Sequence, residues 1–171
     1  NLKYDKNGKF SGRGKTDARL LEKLLSHKFF KKNPPKSTGR YDFGLNYISS
    51  IIKYCKIRKI RRSDILNTIC YFIVLNIKNL IDRFYTEEYK IIKYVVISGG
   101  GIYNRTIFNY ILKLFNDKKV IKSSFWDIEP KFKEAIAMAL IGYNTLKMKT
   151  SSFCNITGAV RNSILGKISF P

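Results

Sequence analysis

Residues 94–101, Tyr94-Val95-Val96-Ile97-Ser98-Gly99-Gly100-Gly101, constrain the fold of this chain more than any other stretch. A short continuous apolar run with two β-branched valines reads as an inner strand covered on both faces. It runs straight into three glycines, which favour a turn over either regular element. Asn104 can cap the helix that follows, with Ile107, Phe108, Ile111, Leu112 and Phe115 on its apolar face. Asp117-Lys118-Lys119 makes the next turn, and Val120-Ile121 begins another strand.

The rest of the pattern is mainly helical. Gly8, Gly12 and Gly14 mark the first fifteen residues as a loop, after which Thr16 can cap a helix carrying Leu20, Leu21, Leu24 and Leu25 and ending near Lys28. Asn33 to Arg40 cannot be helix, because Pro34 and Pro35 lack amide donors. A second helix is expected from Leu45 to Tyr54. Ser63 reads as the cap of a long helix, with Asp64 against its positive end and Leu66, Ile69, Cys70, Ile73, Ile77 and Leu80 facing inward. Pro130 suits the first turn of a helix bearing Phe132, Ile136, Leu140 and Tyr143. A polar loop from Lys147 to Ser152 leads to a terminal strand over Ile164-Leu165-Gly166-Lys167-Ile168. Several long helices around a few strands make an α/β lobe, without internal repeats.

Length allows one compact domain or one lobe of a larger enzyme, since domains run to about 100–200 residues and the chain has 171. Lys and Arg number 33 against 12 Asp and Glu, a net charge of +21, which ordinarily points to a polyanion. The crowding of Lys, Ile, Asn, Tyr and Phe follows A/T-rich codon usage instead, and the basic residues are spread through every segment. Lys56 to Arg62 is the one dense run, so nucleic acid is not the expected partner. Ile65 to Ile81 is apolar but broken by Asn67, Thr68, Asn76, Lys78 and Asn79, short of the ~20 apolar residues of a span. A buried helix with a basic entrance loop is expected, with no membrane partner. The polar start, Asn1-Leu2-Lys3-Tyr4-Asp5, is no signal peptide, and the absence of an initiator Met suggests a partial chain. Cys55, Cys70 and Cys154 have no zinc or disulfide spacing and read as reduced core residues of a cytoplasmic protein. His27 is the single histidine, so a His-rich metal centre is excluded.

The chemistry concentrates at the strand–glycine–helix junction. Backbone amides of Gly99, Gly100 and Gly101, with Asn104 opening the helix, suit a nucleotide or phosphate. The pattern is not a Walker A loop, because no Gly-Lys-Ser/Thr follows, and it lacks the third glycine of a Rossmann fingerprint. A tight turn that binds nothing has the same appearance. Glu134 lies in a first helical turn among Ala135, Ala137 and Ala139, as a cleft carboxylate or as a solvated helix-start residue. Lys36 and Arg40 flank Ser37-Thr38-Gly39 and can donate to an anion or a sugar, or can simply be solvated charges on a rigid connector. Asp127, Glu129 and Glu134 are too irregularly spaced for a metal site.

Together these landmarks resemble the anhydro-N-acetylmuramic acid kinases. The resemblance is carried by Pro34-Pro35-Lys36-Ser37-Thr38-Gly39-Arg40 with Phe43, preceded by Tyr4-Asp5, Gly14 and Leu20-Leu21 and followed by Asp64 and Thr68. Ser98 to Gly101 with Asn104, Lys133-Glu134-Ala135, Thr157-Gly158-Ala159, Arg161 and Leu165 to Ile168 before Pro171 complete the order. It covers essentially the whole chain. It implies the carboxy-terminal lobe of an actin/hexokinase-like (ribonuclease H-like) sugar kinase. Such an enzyme uses ATP and Mg2+ to open the 1,6-anhydro bond with water and to phosphorylate O6, giving N-acetylmuramic acid 6-phosphate in peptidoglycan recycling.

By the same resemblance, Gly99, Gly100, Gly101 and Asn104 line the nucleotide side, while Glu134, Lys36 and Arg40 belong to the substrate side or the cleft. The water-activating aspartate and the phosphate loop lie before this chain, in an amino-terminal lobe, so no catalytic residue is expected here and the lobe alone should be inactive. Lys131, Met138, Arg105 and the Tyr71-Phe72-Ile73 run depart from the family pattern. A basic binding module and a decayed remnant therefore stay open as alternatives, as does a homodimer.

Overall fold

The computed structural model describes residues 4–169. The polar start at Asn1, Leu2 and Lys3 and the terminal Pro171 lie outside the described residues. Two 3-10 turns, Lys6–Gly8 and Ser11–Arg13, tighten the opening loop. Helix α1 spans Ala18–Leu25, and its cap is Asp17 rather than Thr16: the Leu20 amide donates to Asp17 Oδ1 at 3.0 Å. Thr16 is engaged elsewhere, its hydroxyl donating to Asn67 on a distant helix at 3.0 Å. The helix ends at Leu25 rather than near Lys28. A single turn, α2 (Lys28–Lys31), restarts beyond His27, whose Nδ1 accepts from the Phe29 amide at 3.3 Å. His27 also packs against Phe30, Phe43 and Tyr47, a structural use of the one histidine.

The two prolines keep residues 33–39 out of helix, with a cis Pro34–Pro35 peptide. A short α3 (Arg40–Phe43) leads through Gly44 into α4 (Leu45–Ile57), longer than its expected end at Tyr54. The basic run makes the corner into α5 (Arg62–Phe84), with Asp64 in its first turn as expected and Ser63 inside the helix rather than capping it.

Leu20, Leu24, Ile51 and Cys55 form the buried core, flanked by Ile65, Ile69 and Phe72 of α5. The inward positions of α5 agree in part with those expected, since Cys70 is buried and Ile69 packs on the core. Asn67, Thr68, Cys70 and Val74 are buried, while Ile73 and Ile77 are exposed, because the helix serves two neighbours on separate flanks. By length and composition α5 is long and apolar enough to cross a membrane, contrary to the expectation that its polar residues break it too early. Of those polar residues Asn67 and Thr68 bind other segments of the chain, whereas Asn76 donates back to the Phe72 carbonyl and Lys78 pairs with Asp82 within the helix. Cys70 is buried, and Cys154 is only half-buried.

After α6 (Thr86–Ile91), β1 (Tyr94–Ile97) and β2 (Lys119–Lys122) pair in parallel, Tyr94 opposite Lys119 through Ile97 opposite Lys122. Helix α7 (Arg105–Leu114) connects them across the top of α5. Strand β1 is not the doubly covered inner strand its composition predicts: Tyr94 and Val96, on one face, are exposed, and β2 is its only ladder partner among the described residues. On α7, Leu112 is likewise exposed while Thr106 and the following Phe115 are buried.

Pro130 opens a 3-10 turn, Pro130–Phe132, that feeds α8 (Lys133–Leu146), as its position predicts. The apolar residues of α8 are not buried, however. A short α9 (Cys154–Thr157) follows. Residues 164–168 form no strand, because extended chain without a ladder partner satisfies none of its amides. That segment is tied down upstream, where the Ser151 amide donates to the Ser163 carbonyl at 3.0 Å.

Candidate functional site at the glycine turn

The parallel pair aims both carboxyl ends at one edge, which is where open α/β sheets bind ligands. Gly99 follows β1 with φ 84° and ψ 175°, a backbone state essentially restricted to glycine. Its amide donates to the Pro130 carbonyl at 3.1 Å, fastening the turn to the start of the α8 segment. Gly100 and Gly101 open a 3-10 turn that runs to Tyr103, so their amides have no acceptor within that turn. A Cβ built on Gly99, Gly100 or Gly101 meets nothing within 4 Å. The turn is therefore open to a ligand rather than packed against protein.

Asn104 caps α7 as expected. Its Oδ1 accepts from the Thr106 amide at 3.0 Å and the Ile107 amide at 3.2 Å. That side chain is thus occupied by the helix and by contact with Gly8, where a Cβ would collide with Asn104. Its part in the site is to hold the turn against α7.

Beside the turn lies a hollow of about 340 Å³ lined by Asn7, Ile102, Tyr103, Arg105, Phe108 and Lys122. Its size falls within the range of small-molecule sites, roughly 300–1,000 Å³. Lys122 closes β2 with its ammonium 5.7 Å from the Phe108 ring centre, and Arg105 opens α7. Neither cation is in an ion pair among the described residues. Tyr103 donates to Glu129 at 3.1 Å; partial desolvation and then that carboxylate push its hydroxyl above the ordinary tyrosine value. Just beyond Lys122, the buried Ser123 hydroxyl has no partner among the described residues. In sequence Arg105 stands out only as a departure from the family pattern and Lys122 not at all as a site residue, although the carboxyl-end position of Lys122 in a parallel strand is a usable signal.

Glu134 sits exposed in the first turn of α8, near the junction through the Gly99–Pro130 bond. Lys36 and Arg40 are placed apart from each other. Arg40 lies in a shallow hollow of about 680 Å³ along residues 40–48. Lys36 lines one of about 330 Å³ with Lys31, Asn76 and Arg83, where its Nζ donates to the Lys32 carbonyl at 3.0 Å and the Phe29 carbonyl at 3.3 Å. Burial, then Arg83 and Lys32, hold its pKa below the usual lysine range. Gly99, Gly100 and Gly101 line neither hollow. Among the described residues no group of three or more His, Cys, Asp or Glu could hold a metal ion.

A second set of landmark residues converges instead on a buried polar knot. Asn67 Nδ2 donates to the Ser11 carbonyl at 3.0 Å, and Asn67 Oδ1 accepts from Thr16 and, at 2.8 Å, from Tyr110. Ser11 donates to Thr106 at 3.0 Å, and Thr106 to the Gly8 carbonyl at 3.1 Å. Thr68 accepts from the Asp17 amide at 2.9 Å, and the Lys15 amide donates to Asp64 at 2.8 Å. Burial works to raise the Asp5 carboxyl, but hydrogen bonds from Ser11 and Phe10 outweigh it and hold it below the usual range. The knot ties the opening segment, α5 and α7 into one body beneath the glycine turn.

An open glycine turn at the carboxyl end of a parallel pair, backed by a capped helix, defines a mostly helical α/β chain. The family model described as anhydro-N-acetylmuramic acid kinase matches residues 1–171, and the chain belongs to that family. It is 33% identical over 168 residues to the anhydro-N-acetylmuramic acid kinase of Caldanaerobacter subterraneus subsp. tengcongensis, covering 98% of this chain and 42% of that protein. The Clostridioides difficile enzyme is 34% identical, with 99% of this chain and 43% of that protein covered. A Bacillus thuringiensis subsp. konkukian enzyme of the same name is 34% identical, with 99% and 44% covered. The chain thus spans less than half the length of the curated relatives it matches.

Proposed function

We propose that this chain is the carboxy-terminal, ribonuclease H-like lobe of a cytoplasmic kinase that opens 1,6-anhydro-N-acetylmuramic acid with water and transfers the γ-phosphoryl group of ATP to O6. Family membership and the names of the relatives support the substrate class. The observation that carries the nucleotide assignment is the triple glycine, whose open Cα positions leave the Gly100 and Gly101 amides free to approach a ligand. Gly99 shapes the turn, Gly100 and Gly101 face the nucleotide, and Asn104 fixes the turn on α7. Arg105 and Lys122 add positive charge beside it. Glu134 takes the sugar side, near the glycine turn across the Gly99–Pro130 bond. Mg2+ bound with ATP would supply charge neutralisation on the phosphates, and among the described residues no group of three or more His, Cys, Asp or Glu is placed to hold it. Lys36 and Arg40, in separate hollows, act on the substrate only through the position of their connector.

The test is calorimetric titration of magnesium-ADP into the 171-residue protein and its Gly100→Val variant at two salt concentrations. Gly100 has no positive φ and open space around it, so the variant should fold normally. Weak binding in the wild type, lost in the variant and only partly weakened by salt, is expected. Equal affinity in both proteins, with salt abolishing it, would leave net charge as the source of attraction and defeat the assignment. Neither protein should phosphorylate the anhydro-sugar by itself.

A further inference from the structure

The dense basic run of residues 56–62 takes no part in the site at the glycine turn. It makes the corner between α4 and α5 beside a hollow of about 570 Å³, whose floor is the core side chains Leu24, Ile51 and Cys55 and whose wall on α5 is Ile65, Ile69 and Phe72. Small-molecule sites span roughly 300–1,000 Å³ and are apolar with a few placed polar groups. Ile48 and Ile52 of α4 line this one and are left 48% and 50% exposed. Of the basic run, Lys56, Lys59 and Arg62 line it too, and no acidic side chain does. None of the three is in an ion pair among the described residues, and Asp64, the nearest carboxylate in sequence, is taken by Arg61 and the Lys15 amide. Long basic side chains cover apolar walls with their stems and keep their heads in water, so the charges belong to the mouth. Lys59 has φ 53°, the left-handed state that ends helices and usually falls to glycine. A lysine there costs backbone strain and gives the mouth a further cation. Tyr47 lies at the other end, about 14 Å from Lys56 along the α4 axis at 1.5 Å per residue, and its buried hydroxyl has no partner among the described residues.

We propose that this hollow binds a fatty acid, with the carboxylate among Lys56, Lys59 and Arg62 and the chain laid along α4 over Ile48 and Ile52 toward Tyr47. Charge complementarity selects the head group. Three like charges at an apolar opening repel one another, and an anion set among them is attracted to all three. The apolar walls select the tail, because a small anion would leave them wet. Size selects a single medium-length chain, since the hollow is too small for a patch of bilayer. Neither Gly99 to Gly101 nor Arg105 and Lys122 line it, so the assignment stands apart from the nucleotide reading.

The test is calorimetric titration of monomeric octanoate, decanoate and dodecanoate into the 171-residue protein. One site is expected, tighter by about threefold for each added methylene, with no binding of acetate. Decanoate should bind about tenfold more tightly than the neutral 1-decanol. Lys56→Gln combined with Lys59→Gly should weaken decanoate by about tenfold. Glycine adopts the left-handed state freely, so that variant should melt no lower than the wild type, which separates lost binding from lost folding. Tyr47→Phe, which removes only the hydroxyl at the tail end, should bind decanoate no more weakly. Four results would each overturn the inference. Equal affinity for acetate and all three chain lengths would leave net charge as the source of attraction. Decanol as tight as decanoate would take the cations out of the site. Binding to phosphatidylglycerol vesicles without binding of the monomers would make this face a membrane surface. Weaker binding by Tyr47→Phe, with none lost in the lysine variant, would place the head group at the wrong end.

Discussion

Ser11, Asn67, Thr68 and Thr106 are polar, almost fully buried, and hydrogen-bonded to one another's segments. Across the glycine turn, Phe132, Ile136, Leu140 and Tyr143 are apolar and about half exposed. Each region inverts what its composition alone suggests. A buried polar group is tolerable only when every donor and acceptor has a partner, so the knot carries its own completion within the chain. A bare apolar helix has no such internal solution, since its cover has to come from other atoms. The first region is completed by bonds within the chain; the second is left bare among the described residues.

The sharpest way to break the contrast is Gly14→Ala. The backbone at Gly14 has φ −89° and ψ 170°, which alanine adopts freely, so the only effect is steric. A Cβ there lands on the Ser63 carbonyl at the start of α5. Both colliding groups are backbone fixed by the bond from the Lys15 amide to Asp64, and no side chain can swing away. Destabilisation on the order of 4 kcal/mol is expected, above the ~1–3 kcal/mol usual for overpacking. At roughly 2–4 °C per kcal/mol for a domain of this size, the midpoint of thermal melting should fall by about 10 °C. A shift within error would mean that the opening segment is not clamped on α5.

Next in size is Asn67→Ala. It removes the acceptor of Thr16 and Tyr110 and the donor to the Ser11 carbonyl in one step. Leaving buried groups unpaired costs roughly 1–3 kcal/mol each, less where water enters, so about 3 kcal/mol is expected in chemical denaturation. A value under about 1 kcal/mol would show that the knot is wet rather than sealed.

The two regions were also unequally legible. The unit from Tyr94 to Phe115 was readable because each of its signals is local: an apolar β-branched run, glycines, and an Asn whose cap is made two and three residues on. The knot was not, since Ser11 and Thr106 are separated by 95 positions and nothing in either residue announces the other. The same non-local bonding misplaced the cap of α1, where Asn67 takes Thr16 and leaves Asp17 to do the capping. The strand expected at residues 164–168 had the right composition but no partner, and propensity cannot supply one. In the candidate site, Gly99 to Gly101 form the turn and Asn104 caps α7. Lys36 and Arg40 had been grouped by closeness in sequence, but the turn through Gly39 into α3 places them in different hollows.

Gly142→Ala makes the smallest change and separates the regions most cleanly. Gly142 lies inside α8 with no positive φ, and a Cβ there meets nothing within 4 Å. In a helix interior alanine is favoured over glycine by about 0.8–1.0 kcal/mol, because glycine loses more backbone freedom on folding. The same glycine-to-alanine step that wrecks the clamp at Gly14 should therefore strengthen α8. Its size also reports how the two regions are coupled. If α8 opens independently of the knot, as its few contacts imply, its amides should exchange about fivefold more slowly while the global melting midpoint stays put. A rise in the global midpoint with uniform slowing across α5 and α7 would show instead that α8 folds in one cooperative unit with the knot. The contrast between a knot bonded within the chain and a bare helix would then dissolve.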